Sequence, residues 1–382
     1  MALKTNRMET ARSNLERAVK VKPDGGEAWA ALAQTYVRLN FAVSAHTAAA
    51  RAEALAGKNP AVLRALADYY AAAGDAAQAA DYEERYALSA GSKDPDAILR
   101  AVTLRIQAKE AKKAIALASK GLALGDNARL RGLLASAYEL DKQPARAINE
   151  YNRAIMLDPY EEGYYFQLGQ LLIDAENFAT ARQVLEAARK IFDKSPEIEL
   201  ALGTAYYGLK NYDEAGFSFL KTVTLAPQAP QAYSFLARVL DQNTKWLPEI
   251  TTAFASFAEA QPRQYLPQFL YGKALLMGGK DLTGAEARLR KSIALEDGFW
   301  ESHYQLGILL QKRHQLPQAE VELKKSAALG PHNPLPHQQL AHLFDQMGKP
   351  ADAKLERAAA ERAAVGDKPR PTTVVHRSRK TK

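Results

Sequence analysis

Few residues in this chain of 382 have the types and spacing that chemistry needs. Gly278, Gly279 and Lys280 have the composition of a phosphate-binding loop, in which backbone N–H groups cradle an anion and a lysine meets its charge. No glycine stands at the upstream position, Asp281 replaces the hydroxyl residue, and no strand pattern precedes the segment. Nucleotide binding is therefore not expected. Histidines gather late in the chain at His303, His314, His332, His337 and His342. None forms the i, i+4 pair that would place two ring nitrogens on one helix face for a metal. His303 and His337 stand 34 residues apart and read as packing residues of a repeated unit. The chain has no cysteine, which excludes disulfides and thiolate metal sites. No nucleophile elbow, carboxylate dyad or catalytic histidine arrangement is present, so the reading is a chain with no catalytic residues, no metal and no cofactor.

What the sequence offers instead is periodicity. Leu134, Leu168, Leu202 and Leu236 follow one another every 34 residues, each trailed by a small residue: Ala135, Gly169, Gly203 and Ala237. With slips of one residue the ladder extends through Leu32, Leu66 and Ala101 on one side and Tyr271, Leu306 and Leu340 on the other. A second ladder runs about thirteen residues later through Ala45, Ala79, Ala114, Ala147, Ala181, Ala215, Ala285, Ala319 and Ala353. Tyr36, Tyr70, Tyr138 and Tyr206 fall four residues after a ladder leucine, and Pro23, Pro159, Pro227 and Pro331 close four of the units. Small residues let two helices approach, large ones fill the space beside them, and proline ends a helix before the next unit begins.

The segment from Arg131 to Pro159 carries the whole set: Leu134, Ala135, Tyr138, Ala147, Tyr151, Ala154 and Pro159. It resembles the tetratricopeptide repeat family, and the resemblance covers roughly residues 8 to 365. The resemblance implies an all-α fold: a right-handed alpha-alpha superhelical solenoid of about ten helical hairpins plus an N-terminal half-repeat. It implies a non-catalytic scaffold that binds a protein or peptide partner in the groove lined by the first helices, with no small-molecule substrate. The exposed groove positions are then the second, fifth, ninth and twelfth of each unit. In this chain they give Phe166, Gln170 and Ile173, then Leu200, Thr204 and Tyr207, then Ser234, Arg238 and Asp241, then Leu266, Phe269, Lys273 and Leu276, then Tyr304 and Ile308. Phe166, Tyr207, Phe269 and Tyr304 are the expected anchors. The alternative is that these side chains pack against neighbouring helices. Some family members clamp acidic chaperone tails with lysines and asparagines. Here those positions hold Ala30 and Gln34, Gly132 and Ser136, or Phe166 and Gln170, so that role is not expected.

Charge and the chain ends complete the expectations. The net charge of +8 sits at the ends: residues 1–22 carry +4 and residues 368–382 carry +6, leaving −2 between them. The domain reading is a half-repeat helix over 1–22, a repeat solenoid over 23–365 and a disordered basic tail over 366–382. Ala11, Leu15, Ala18 and Pro23 match a second helix whose first helix is missing, which leaves Leu15 and Val19 partly uncovered and offers a surface for docking or self-association. An irregular junction is expected between Tyr233 and Leu270, where Glu249 replaces a small residue and Trp246, Phe254 and Phe257 fill the gap. There is no apolar run long enough to span a bilayer and no signal peptide over Met1 to Lys22, so the chain reads as soluble and cytoplasmic, or periplasmic if an upstream signal was removed. Two other functions stay open. One is a repeat segment of a larger envelope or secretion assembly factor, or of a multidomain enzyme; the other is nucleic-acid contact through the basic termini.

Overall fold

The computed structural model describes residues 2–89 and 96–366, and every element among them is a helix. The helices are α1 (Ala2–Val21), α2 (Gly26–Arg38), α3 (Ala42–Ala56), α4 (Pro60–Ala73), α5 (Ala76–Ala87), α6 (Ala97–Gln107), α7 (Ala111–Leu124), α8 (Ala128–Leu140), α9 (Pro144–Leu157) and α10 (Glu162–Asp174). They continue as α11 (Phe178–Ile191), α12 (Pro196–Gly208), α13 (Tyr212–Leu225), α14 (Pro230–Gln242), α15 (Leu247–Ala260), α16 (Tyr265–Gly278), α17 (Leu282–Leu295), α18 (Trp300–Lys312), α19 (Leu316–Leu329), α20 (Pro334–Gln346) and α21 (Pro350–Gly366). Contacts divide the chain into two units, Met1–Leu171 and Leu172–Lys382, the division falling inside α10.

In the first unit, α2 pairs with α3, α4 with α5, α6 with α7 and α8 with α9, and α3, α5 and α7 also pack on α4, α6 and α8. The ladder residues form the seams: Leu32, Leu66, Ala101 and Leu134 are buried, as are Ala45, Ala79, Ala114 and Ala147. Tyr36 donates to Glu16, and Tyr70 and Tyr82 both donate to Glu53, so tyrosine hydroxyls tie a hairpin to its neighbour. The N-terminal expectation needs a correction. Leu15 stays half-exposed, but Val19 is buried, because α2 and α3 bring Leu32, Ala33 and Ala49 over it.

In the second unit α12 pairs with α13, α16 with α17, α18 with α19 and α20 with α21. Leu202, Leu236, Leu306 and Leu340 are buried, with Ala215, Ala285, Ala319 and Ala353 across the seam. The small residues are there for close approach: a Cβ at Gly203 would stand 2.6 Å from the Phe219 ring, and one at Gly307 would stand 2.6 Å from Leu323. Tyr271 is only half-buried, lying under the Arg288 guanidinium at 5.1 Å.

One residue in the left-handed region closes nearly every first helix. Asn40, Gly74, Lys109, Lys142, Glu176, Lys210, Gly279, His314 and Gly348 all have positive φ and recur at the repeat spacing. At Lys210 the turn is closed by the Asn211 N–H donating to the Tyr206 carbonyl at 2.9 Å, a bond that requires the left-handed step. The exception is the end of α14, where Asn243 is extended (φ −154°) and α15 barely touches α14. There Trp246 folds back on α13, its indole N–H donating to the Asp213 carbonyl at 2.9 Å, while Tyr233 stacks on Phe257. Phe254 and Phe257 are buried and Glu249 is exposed, so the aromatics occupy the irregular junction as expected. Residues 367–382, and with them nearly all of the basic tail, lie outside the described residues.

Candidate functional site: a recess across four first helices

Within the second unit, α14, α16, α18 and α20 touch in sequence, side by side. They enclose a recess of about 450 Å³. Asp241 enters it from α14, Phe269 and Lys273 from α16, Trp300, Glu301, Tyr304, Gln305 and Ile308 from α18, and Leu335 from α20. The spacing of helix turns explains the set. Trp300, Tyr304 and Ile308 are four residues apart, as are Phe269 and Lys273, so each series forms one stripe along its helix.

The polar groups fall into two states. Lys273 Nζ lies 2.6 Å from Asp241 Oδ1 and donates to Oδ2 at 2.8 Å, a pair that bridges α16 and α14. The Lys273 side chain is 12% exposed and that of Asp241 49%, so the pair sits at the edge of the recess with its cation covered. Glu301 has no such partner: its Oε2 is shielded from water and makes no hydrogen bond. Burial pushes the Glu301 carboxyl above the ordinary glutamate value, against the weaker pull of its own backbone N–H and of Lys273. Burial also raises the Tyr304 phenol, and the Asp241 charge adds to the shift. The Trp300 ring lies 5.9 Å from that of Tyr304, tilted by 57°.

Of the residues expected in a groove, the recess brings together Phe269, Lys273, Tyr304 and Ile308. Phe166, Gln170, Ile173, Leu200, Thr204, Tyr207 and Arg238 do not line it. Phe269 is not an exposed anchor. It is buried, because Phe299 in the preceding turn of the next hairpin meets it edge-on at 5.0 Å. Ile173 and Leu276 are buried as well. Tyr207 is half-buried against Tyr212 at 5.3 Å, and Arg238 is exposed, its guanidinium 5.7 Å from the Phe235 ring.

The other sequence candidates have local explanations. Gly278 ends α16, Gly279 is the left-handed turn residue (φ +70°), and Asp281 caps α17 by accepting from the Gly284 N–H, so the glycine-rich segment builds a hairpin turn. His303 Nδ1 is 2.6 Å from Glu322 and Nε2 is 3.1 Å from the Asp297 carbonyl, and His337 repeats the contact with Glu356 at 2.7 Å. Among the described residues no group of three or more His, Cys, Asp or Glu could hold a metal ion, and no helix is long and apolar enough to cross a membrane.

A second, smaller recess of about 240 Å³ lies in the first unit. Ala67, Asp68 and Ala71 of α4, Glu83 of α5, and Arg100, Thr103 and Leu104 of α6 line it. Its buried Glu83 is held by Arg100 Nε at 2.8 Å and Arg64 Nη1 at 3.3 Å.

Family models of the tetratricopeptide repeat match residues 128–161 and 172–239. Those two segments are tetratricopeptide repeats. No curated protein matches the sequence. Among solved structures the chain is similar to yeast Tom70, at 17% identity over 95% of this chain and 93% of that one, with a TM-score of 0.38. It is also similar to the APC/C hetero-tetramer Cut9-Hcn1, at 11% identity over 96% and 92% with a TM-score of 0.42. A tetratricopeptide repeat protein from Parabacteroides merdae ATCC 43184 matches at 16% identity, covering 66% of this chain and 100% of its own, with a TM-score of 0.43.

In this repeat protein the residue three before the ladder position is often polar and locks its own hairpin. Arg131 pairs with Glu150 at 2.6 Å, nineteen residues on, and His303 and His337 reach Glu322 and Glu356 at the same interval. The sequence reading missed Trp300, Glu301, Gln305 and Leu335. The rule that marks Leu266 as a second position also marks Glu301 and Leu335, so two of the four were recoverable from spacing. Trp300 and Gln305 fall outside the rule and enter the recess only because α18 presents a wide face to it.

Proposed function

We propose that the chain is a non-catalytic protein-interaction scaffold and that the recess across α14, α16, α18 and α20 seats a segment of a partner protein. The observation that carries this is the recess itself: a concavity open to several apolar side chains, with Trp300, Tyr304, Ile308 and the 44%-exposed Leu335 as walls. Apolar groups held partly open around a few convergent polar ones are the usual form of a site that takes side chains of an extended or helical peptide. Phe269 is a buried member of the lining, and the anchoring role belongs to Trp300 and Tyr304.

The test is to pan a displayed random-peptide library against the full chain and to measure the selected peptides on a Tyr304→Ala, Ile308→Ala double variant. Loss of binding with unchanged helicity by circular dichroism is the expected result. Selected peptides that bind the double variant as tightly as the parent chain would remove the recess from consideration.

A further inference from the structure

Two carboxylates and one ammonium line the recess, and the ammonium is already committed. Lys273 sits between the two oxygens of Asp241 at 2.6 and 2.8 Å, leaving Glu301 Oε2 without a donor and out of reach of water. A carboxylate oxygen in that state is corrected in two ways: by a proton, or by a donor brought in from outside. Glu301 lines the recess and is only half-buried as a residue, so a turn of its soft terminal torsion presents that oxygen to a donor entering there. The neighbouring aromatic rings narrow the choice of donor. Trp300 and Tyr304 both line the recess with ring centroids 5.9 Å apart, and an indole or phenol face attracts a cation that has shed water. A neutral amide would satisfy the oxygen but gain nothing from the rings or from the net negative lining. An acidic side chain would meet both Glu301 and Asp241.

Resting on the proposed function above, we infer that the recess is a subsite for a basic side chain, lysine or arginine, of the partner segment, its cation paired with Glu301 and walled by Trp300 and Tyr304. The partner is thereby distinguished from the acidic chaperone tails that other repeat proteins of this kind clamp. It presents an apolar residue to Ile308 and Leu335 with a basic residue beside it.

The experiment is the same displayed-library selection, run in parallel on the full chain and on Glu301→Gln, which keeps the shape of the side chain and removes its charge. Enrichment of lysine or arginine at one peptide position on the parent chain, lost on Glu301→Gln, is the expected outcome. Replacing that residue with norleucine in a selected peptide should then weaken binding to the parent by about tenfold or more, the size of one charge-assisted hydrogen bond, and leave binding to Glu301→Gln nearly unchanged. Selected peptides that lack a basic position, or keep it equally on Glu301→Gln, while still losing affinity on the Tyr304→Ala, Ile308→Ala variant, would overturn the basic subsite and leave the recess as the binding site. Peptides indifferent to the double variant would overturn both.

Discussion

Glu83 in the first unit and Glu301 in the second are each drawn into a recess bordered by first helices, and burial pushes both carboxyls above the usual range. Their surroundings differ. Glu83 is gripped by Arg64 and Arg100, whereas Glu301 keeps one oxygen with no donor, since its nearby lysine is spent on Asp241. The first recess is electrostatically closed by its own chain, and the second is left open. A folded protein retains an unsatisfied buried charge at some cost to stability, and such costs concentrate where a ligand later supplies the missing partner.

The largest expected effect tests the closed recess. Glu83→Ala should destabilise the first unit by about 2 kcal/mol, because it strips Arg64 and Arg100 of a buried partner; both are about a third exposed, and water returns part of the loss. Urea unfolding measures it, and a change below about 0.5 kcal/mol, the scatter of ordinary surface substitutions, would mean the grip contributes nothing. Glu301→Gln should go the other way and stabilise the second unit by up to about 1 kcal/mol near neutral pH. Its pH dependence has a definite sign. The folded value lies above the ordinary 4.5, so the folded state binds the proton more tightly than the unfolded one, and the parent chain loses stability as pH rises through that interval. Glutamine does not titrate. The gain should therefore be absent below pH 4.5 and grow as pH rises past the folded value, and a gain that is flat in pH would contradict the desolvated carboxylate.

Much of the fold was legible in the sequence because burial and spacing agree. The ladder leucines and alanines repeat every 34 residues and form the hairpin seams, and Gly203 marks a seam where no Cβ fits. The left-handed turn residues were less legible. Gly74, Gly279 and Gly348 announce themselves, but Lys109, Lys142, Glu176, Lys210 and His314 take the same conformation, imposed by the hairpin packing around them. The recess was half legible. Phe269, Lys273, Tyr304 and Ile308 follow from position within a repeat, but the burial of Phe269 depends on Phe299 in the next hairpin, and the commitment of Lys273 depends on Asp241, 32 residues earlier. Such contacts between repeats carry no short-range signal.

The smallest expected effects compare the turns beneath the two recesses. Lys109 closes α6, which lines the first, and Gly279 closes α16, which lines the second, at φ values of +59° and +70°. Lys109→Gly should raise stability by a few tenths to about 1 kcal/mol, and Gly279→Ala should lower it by about 1 kcal/mol, as left-handed backbone favours glycine. Thermal unfolding of both variants reads the effect, and equal shifts of the same sign would show that the turns do not carry this strain.

Titration calorimetry of one library-selected peptide tests directly whether the second recess is a binding site. Binding to the parent chain that weakens by about tenfold or more in the Tyr304→Ala, Ile308→Ala variant, with helicity retained, is the expected result for loss of two partly buried side chains at an interface centre. Equal affinity for the two proteins would contradict it.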